Sequence, residues 1–301
     1  MKKIHLVGGV STDPVDYESF TQLRAFTHNV LSEQGQIYST FLDKIVYTIE
    51  PGKFSAFDTY NNVEIGDSDV IYIRGPQMRL RSAYAYYMSR FADWHNIDCV
   101  NDYSLYYPGT KFAQAIYFLE LDIPFLRTVY SVDKDLLVEC VADTIDFPAV
   151  LKTNVGSHGD ANYVIKSVDD MKSLLVAEPK ADFLLQEFCE NDRDYRLLIA
   201  GKEMLLFERR GDVSTHINNT SKGGQATKLP FETLPSDIVQ HAVSVSQKLK
   251  LMISGVDIMP RYGTNEYVFL EVNSQPQLRT GALLDEKKQI LQDLFQAIGN
   301  K

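Results

Sequence analysis

Two acids and an amide close together near the C-terminal end have the composition of a site for a hard divalent cation. Asp257 stands in GVDIM, and Glu271 and Asn273 stand in EYVFLEVN. Alternate side chains of a strand point to opposite faces. The alternation puts Phe269, Glu271 and Asn273 on one face and Val268, Leu270 and Val272 on the other. Burying a carboxylate among apolar neighbours costs several kcal/mol unless a cation is near. Oxygen-only donors suit Mg²⁺, which keeps waters and shares phosphate ligands. Pairing of Asp257 and Glu271 with Arg or Lys on an edge strand would meet the same requirement, and both readings stay open.

Lys152 ends an apolar strand, Ala149-Val150-Leu151, and Gly156-Ser157-His158-Gly159 follows four residues later. Such a loop can bring backbone N–H groups close to a phosphate, or it can be a hairpin tip. It is not a Walker A loop, Gly8-Gly9 is not a dinucleotide fingerprint, and GSHG is not a hydrolase elbow. Among the arginines, Arg196 lies in a predicted strand, and Arg209 and Arg210 end another. Adjacent arginines project to opposite faces, so one of the pair at most serves a given site. A guanidinium clamps phosphate or carboxylate bidentately, or makes surface salt bridges. Asn219 and Lys222-Gly223-Gly224 form a polar loop, and Arg74 ends an apolar strand where ligands of parallel α/β lobes bind.

Several elements must position these groups. Predicted strands at Ile4–Val7, Asp69–Ile73 and Asp98–Val100 alternate with helices at 17–34 and 82–95, which makes a small parallel α/β unit. Residues 36–66 carry no clear period. From about Gly109 the pattern becomes α+β: helices at 110–121, 169–177 and 236–248, and strands at 149–153, 163–165, 183–188, 195–199, 204–208, 254–259 and 266–272. The 301 residues suit two or three modest lobes. With 40 acids against 30 bases the net charge is −10, which argues against a nucleic-acid-coating protein. No apolar run is long enough to span a membrane, and MKKIHLVGGV reads as a first strand rather than a signal peptide. The three cysteines, Cys99, Cys140 and Cys189, fit no metal spacing and suggest a reducing cytoplasm.

Taken in order, TKFAQAIYFLELDIPFLRT, FPAVLKTNVGSHG, LLQEFCENDRDYRLLIAG, FERRGD, NNTSKGG, GVDIM and FLEVNSQP resemble the ATP-grasp ligases, specifically the RimK-like branch of carboxylate–amine ligases, from about Tyr107 to Pro276. The resemblance implies an α/β and α+β ATP-grasp fold behind an N-terminal parallel α/β (pre-ATP-grasp) lobe. The lobes would be 1–104, a central lobe 105–187 with the phosphate loop, and a C-terminal lobe 188–301 with the metal site. It implies ATP and Mg²⁺, with Mn²⁺ as an alternative metal. Lys111 and Lys152 would touch the phosphates, and Gly156, Ser157 and Gly159 would close over them. Gln186, Glu187, Phe188 and Cys189 would form the adenine hinge, Asp194 would lie near the ribose, and Asn219 would belong to the nucleotide loop. Asp257, Glu271 and Asn273 would hold the metal. Arg209, and after it Arg210, would steady the transferred phosphate. Arg196, Lys222 and Gly224 would border the acceptor, with Arg74 and Arg279 as further substrate residues. The implied reaction forms an amide through an acylphosphate, from small-molecule or peptide carboxylates and amines, in a homo-oligomer without nucleic-acid or membrane partners. Two alternatives are a macrocyclising ligase of a ribosomally made peptide, hinted at by the arginines between Arg74 and Arg90, and an ATP-binding module without catalysis. Where the family often has a small residue, Pro and Gly after the metal Asn, this chain reads Ser274-Gln275-Pro276-Gln277.

Overall fold

The computed structural model describes residues 1–75, 78, 81–105, 109–155, 162–210 and 225–299. The chain opens with β1 (Lys3–Val7), α1 (Pro14–Leu31) and β2 (Gln36–Thr40), followed by β3 (Ile45–Glu50), β4 (Lys53–Asp58) and β5 (Val63–Glu64). Next come β6 (Val70–Ile73), α2 (Ser82–Trp94) and β7 (Asp98–Val100). Strands β2-β1-β6-β7 form a parallel sheet, and β3-β4-β5 form an antiparallel one. Helix α1 begins three residues before the periodic stretch because Asp13 caps it, accepting from the Val15 and Asp16 N–H groups, and Pro14 presets the first turn. The unreadable stretch 36–66 contains β2 and the small antiparallel sheet. Val46 and Ile49 of β3 are exposed, so no apolar alternation marks that strand. Gly8 serves close approach rather than phosphate binding: a Cβ there would lie 2.0 Å from the Arg74 carbonyl oxygen.

The remainder runs through α3 (Lys111–Glu120), β8 (Thr128–Tyr130), α4 (Lys134–Thr144), β9 (Ala149–Thr153), β10 (Asn162–Ile165), α5 (Val168–Ala177) and β11 (Phe183–Glu187). It continues with β12 (Asp194–Ala200), β13 (Glu203–Arg210), β14 (Gln225–Leu229), α6 (Ser236–Lys248), β15 (Ile253–Pro260), β16 (Tyr267–Asn273) and α7 (Leu284–Ala297). Strands β10-β9-β11-β8 make one antiparallel sheet, backed by α4 and α5 through Leu137, Val141, Leu151, Met171 and Leu185. Strands β14-β13-β12-β15-β16 make a second. One face of it buries Leu197, Ile199, Val256, Ile258 and Val272 against α3 and α6.

The opposite face is divided. At one end Leu198, Ala200, Leu205, Phe207 and Ile253 join Ile4, Leu6 and Tyr72 of the first sheet and Ile290, Leu291, Leu294 and Phe295 of α7 in one core. Burying each such α7 side chain is worth roughly 1.5–3 kcal/mol before entropy. Helix α7 lies beyond the last element read from the sequence, although its apolar residues recur at helical spacing. The other end of the same face is polar and carries the candidate site. Among the described residues, no helix is long and apolar enough to cross a membrane.

Candidate active site

Strand register assembles the polar end. Arg196 of β12 stands opposite Asp257 of β15, Asp194 of β12 opposite Arg209 of β13, and Asp257 opposite Glu271 of β16. The register then slips: Ile258 pairs with Phe269, which leaves Leu270 as an extra residue on β16. Strict alternation is therefore overturned here. Phe269 joins Val272 in the core against α3 and α6, while Val268 packs with Met259, Leu126, Leu270 and Cys189. A bulge of this kind re-aims side chains beside sites. Here it leaves Glu271 and Asn273 next to Asp257, where the Asn273 amide donates to Glu271 Oε1 at 2.8 Å.

Asp257 is held by two guanidinium groups. Arg196 donates through Nε and Nη2 at 2.6 Å each, and Arg209 Nη2 lies 3.0 Å from Oδ2. Arg209 Nε also reaches Asp194 Oδ1 at 2.5 Å. Asp194, Arg209 and Asp257 are 7%, 5% and 4% exposed. Burial works to raise the Asp257 pKa, but the two arginines outweigh it and hold it below its usual value. Burial pushes Asp194 up to about 6 against the pull of Arg209, with the Asp257 charge adding to the rise. Asp257 thus has the arginine partners of the second reading, on an interior strand, whereas Glu271 stands on the edge strand β16. That edge is capped by Gln114 of α3, which accepts from the Val272 N–H at 2.7 Å and donates to the Val272 carbonyl at 3.2 Å.

The neighbouring sheet brings the Lys152 ammonium near Glu271, and the start of α3 brings Lys111 near Lys152. Lys152 donates to Gln186 Oε1 at 2.6 Å, and Gln186 donates to Thr128 Oγ1 at 3.0 Å. Lys111 donates to the Thr153 carbonyl at 2.9 Å. Asn154 ties the start of α3 to this strand end: its carbonyl accepts from the Lys111 N–H and its side chain from the Phe112 N–H. Loss of hydration pushes the Lys152 pKa down to about 8; Glu271 opposes the shift and Lys111 adds to it. At the other end of β11, Arg261 pairs with Glu187 at 2.8 Å, and this hydrogen bond keeps the Glu187 carboxyl below its usual pKa. Cys189 lies against the apolar patch of Leu126, Met259 and Val268, next to half-buried Phe188.

The RimK-like ATP-grasp domain family matches residues 113–298. The chain belongs to that family. No curated protein sequence matches it. In solved structures the fold resembles the RiPP-associated ATP-grasp ligase of Chryseobacterium gregarium, in complex with ADP and a leader and core peptide. That match has 13% identity, a TM-score of 0.69, and covers 99% of this chain and 96% of the other. It also resembles the Microcystis aeruginosa macrocyclase MdnC bound with precursor peptide MdnA (12%, TM-score 0.66, 97% and 99% covered). A third likeness is to D-alanyl-alanine synthetase A of Vibrio cholerae (12%, TM-score 0.67, 100% and 99% covered).

In this ATP-grasp ligase, Asp194, Arg196, Arg209, Asp257, Glu271 and Asn273 gather on one sheet face, and Lys111, Lys152 and Gln186 gather at the end of the neighbouring sheet. Arg210 is not brought in; it is exposed and pairs with Glu208 at 2.5 Å. Arg74 donates to the Pro276 carbonyl at 2.5 Å, and Arg279 to the Ser19 carbonyl at 3.3 Å. Gly156, Ser157, Gly159, Asn219, Lys222 and Gly224 lie outside the described residues. Sequence reasoning missed Gln114, Asn154 and Arg261, whose only signal is a polar side chain beside an apolar stretch.

The donor set fits a hard divalent ion. Glu271 and the Asn273 carbonyl oxygen would supply two ligands side by side, and Asp257 Oδ1, with one guanidinium bond, keeps a lone pair. If Lys152 contacts the nucleotide phosphates, as the resemblance implies, its charged form binds them best. Nucleotide affinity is therefore expected to be level below about pH 8 and to fall as pH rises through that value, by about tenfold per unit at the steepest. Titration calorimetry of ADP with Mg²⁺ from pH 7 to 9.5 measures this, and Lys152→Met should flatten the profile.

Proposed function

We propose that the chain joins a carboxylate to an amine at the expense of ATP, with an acylphosphate intermediate. The observation that supports this reading best is that Glu271, beside Asn273 and Asp257, is near enough for its charge to act on Lys152 of the adjoining sheet, whose own neighbour is Lys111 at the start of α3. In this reading Lys111 and Lys152 grip the nucleotide phosphates, and the patch around Cys189, Met259 and Val268 receives the adenine beside Gln186–Cys189. Asp257, Glu271 and Asn273 would hold Mg²⁺, for which Mn²⁺ can substitute; the ion neutralises phosphate charge. A substrate carboxylate oxygen attacks the γ-phosphorus and ADP leaves. A neutral amine then attacks the acyl carbon, the C–N bond forms, inorganic phosphate departs and the amine loses its proton. Arg209 steadies the transferred group, and Arg196, Arg74 and Arg279 face the acyl substrate. Positioning and electrostatics carry the rate, so no catalytic histidine is required.

A peptide carboxylate is one substrate class, supported by the peptides bound in two of the structural neighbours. Small-molecule carboxylates are the other. An ADP-release screen of carboxylate and amine pairs, with mass spectrometry of products, tests the reading. ADP, phosphate and amide should appear in equal amounts only when both partners and Mg²⁺ are present. Nucleotide binding with no turnover across the panel would leave a binding module instead.

A further inference from the structure

Asn101 directly follows β7, the last strand of the parallel sheet, yet its side chain serves the two strands that carry the candidate metal ligands. The ladder between β15 and β16 ends at the pair Gly255 and Asn273. Just beyond that pair the Asn101 amide bridges the two chains. Its Oδ1 accepts from the Ile253 N–H at 2.8 Å, and its Nδ2 donates to the Ser274 carbonyl at 2.9 Å. One side-chain amide thus takes the place of a backbone peptide where the strands part. Asn101 is fully buried, and its φ of 63° lies in the left-handed region, which asparagine enters more readily than most residues.

Two more side chains of the N-terminal region hold the residues that follow. The Tyr103 hydroxyl accepts from Gln275 Nε2 at 3.0 Å, and Arg74 Nη2 donates to the Pro276 carbonyl at 2.5 Å. The loop that supplies Asn101 and Tyr103 is itself anchored: the Asp102 N–H donates to the Lys250 carbonyl at 3.1 Å, and the Tyr103 N–H donates to Ser89 Oγ at 2.8 Å. Pro276 then passes so close over β15 that a Cβ on Gly255 would lie 3.0 Å from its Cβ. Asn273 is therefore bracketed. On one side Gln114 holds both backbone groups of Val272, and on the other Asn101 holds the Ser274 carbonyl. A ligand at the end of a strand needs such support, because a binding constellation tolerates displacements of only about 0.5 Å.

We propose that Asn101 is a positioning residue for the metal end of the site: by tying Ile253 to Ser274 it fixes the peptide that follows Asn273, and with it the direction in which Asn273 and Glu271 present their oxygens. This rests on the ligase reading above and gives the N-terminal region a share in its metal site. Asn101 acts through its neighbours and is not a catalytic residue.

The test follows Mn²⁺ binding to the full chain with ADP by electron paramagnetic resonance, and ADP binding without divalent metal by titration calorimetry. Asn101→Gly keeps the left-handed backbone accessible and removes the amide. It is expected to weaken Mn²⁺ binding by about 10–100-fold, the usual cost of losing a group that orients metal ligands. Metal-free ADP affinity should stay within about twofold of wild type, since a lost orienting bond on β16 leaves Lys111 and Lys152 in place; this also shows that the variant folds. Tyr103→Phe keeps the ring but removes the acceptor for Gln275, and should weaken Mn²⁺ binding by about threefold, the size of one hydrogen bond. It decides the question if Asn101→Gly does not fold. Wild-type Mn²⁺ affinity in the deciding variant, or an equal loss of metal-free ADP binding, overturns the positioning role and leaves the ligase reading in place. Failure of the wild-type chain to bind Mn²⁺ with ADP overturns the metal site of that reading, and the proposal with it.

Discussion

Arg209→Met is expected to lower the unfolding free energy by about 3–5 kcal/mol and to abolish ligation, because it strips a cation from two buried acids at once. Arg209 is the shared partner of Asp194 and Asp257. Without it Asp194 has no guanidinium among its described ion pairs, and Asp257 keeps Arg196 alone. Methionine fills the space but satisfies neither oxygen. The loss should itself depend on pH. A buried acid whose folded pKa is raised, as that of Asp194 is to about 6, favours the folded state while protonated, and this advantage disappears as pH rises through the folded value. Removing Arg209 raises that value further, so the deficit against wild type should shrink as pH is lowered from 8 toward 5. Urea unfolding followed by circular dichroism at several pH values measures both effects. Adding Asp194→Asn should restore part of the stability without restoring turnover. A deficit under about 1 kcal/mol at neutral pH would show that the arginine does not compensate these acids.

The second large effect falls on activity alone. Glu271→Ala should reduce turnover by about 10²–10³ with little change in melting temperature. Glu271 is half-buried on an edge strand, its described hydrogen bond runs to the adjacent Asn273, and Gln114 rather than Glu271 holds the strand backbone in place. The change therefore removes a candidate metal ligand and little packing. Its charge also helps keep Lys152 protonated, so nucleotide affinity should start to fall at a lower pH than in wild type. Glu271→Gln, which can still hydrogen-bond to Asn273, should lose turnover comparably. Normal activity in both variants would remove Glu271 from the metal set.

Most strands and helices that build the site can be read from local pattern. Ala149–Thr153, Asp98–Val100 and Ser236–Lys248 declare themselves by period and punctuation, because apolar spacing is a property of neighbouring residues. The hairpin of β3 and β4 does not, since Val46 and Ile49 face outward on a thin sheet. Periodicity also misplaced Phe269 and Val268, because one extra residue on a strand exchanges the faces of everything beyond it. That bulge shows only in the pairing of β16 with β15.

Residue types alone suggested a kind of chemistry here: oxygen donors on neighbouring strands that could hold a metal, a lysine at a strand end before glycines, and arginines able to clamp anions. Only the tertiary structure decided who pairs with whom. Arg196 finds Asp257 across 61 residues, Arg209 is chosen over Arg210, and Asn101 meets both Ile253 and Ser274. The physical reason is that a charge's partner, its hydration and its pKa are set by groups brought near through folding, and a one-dimensional pattern carries none of those distances.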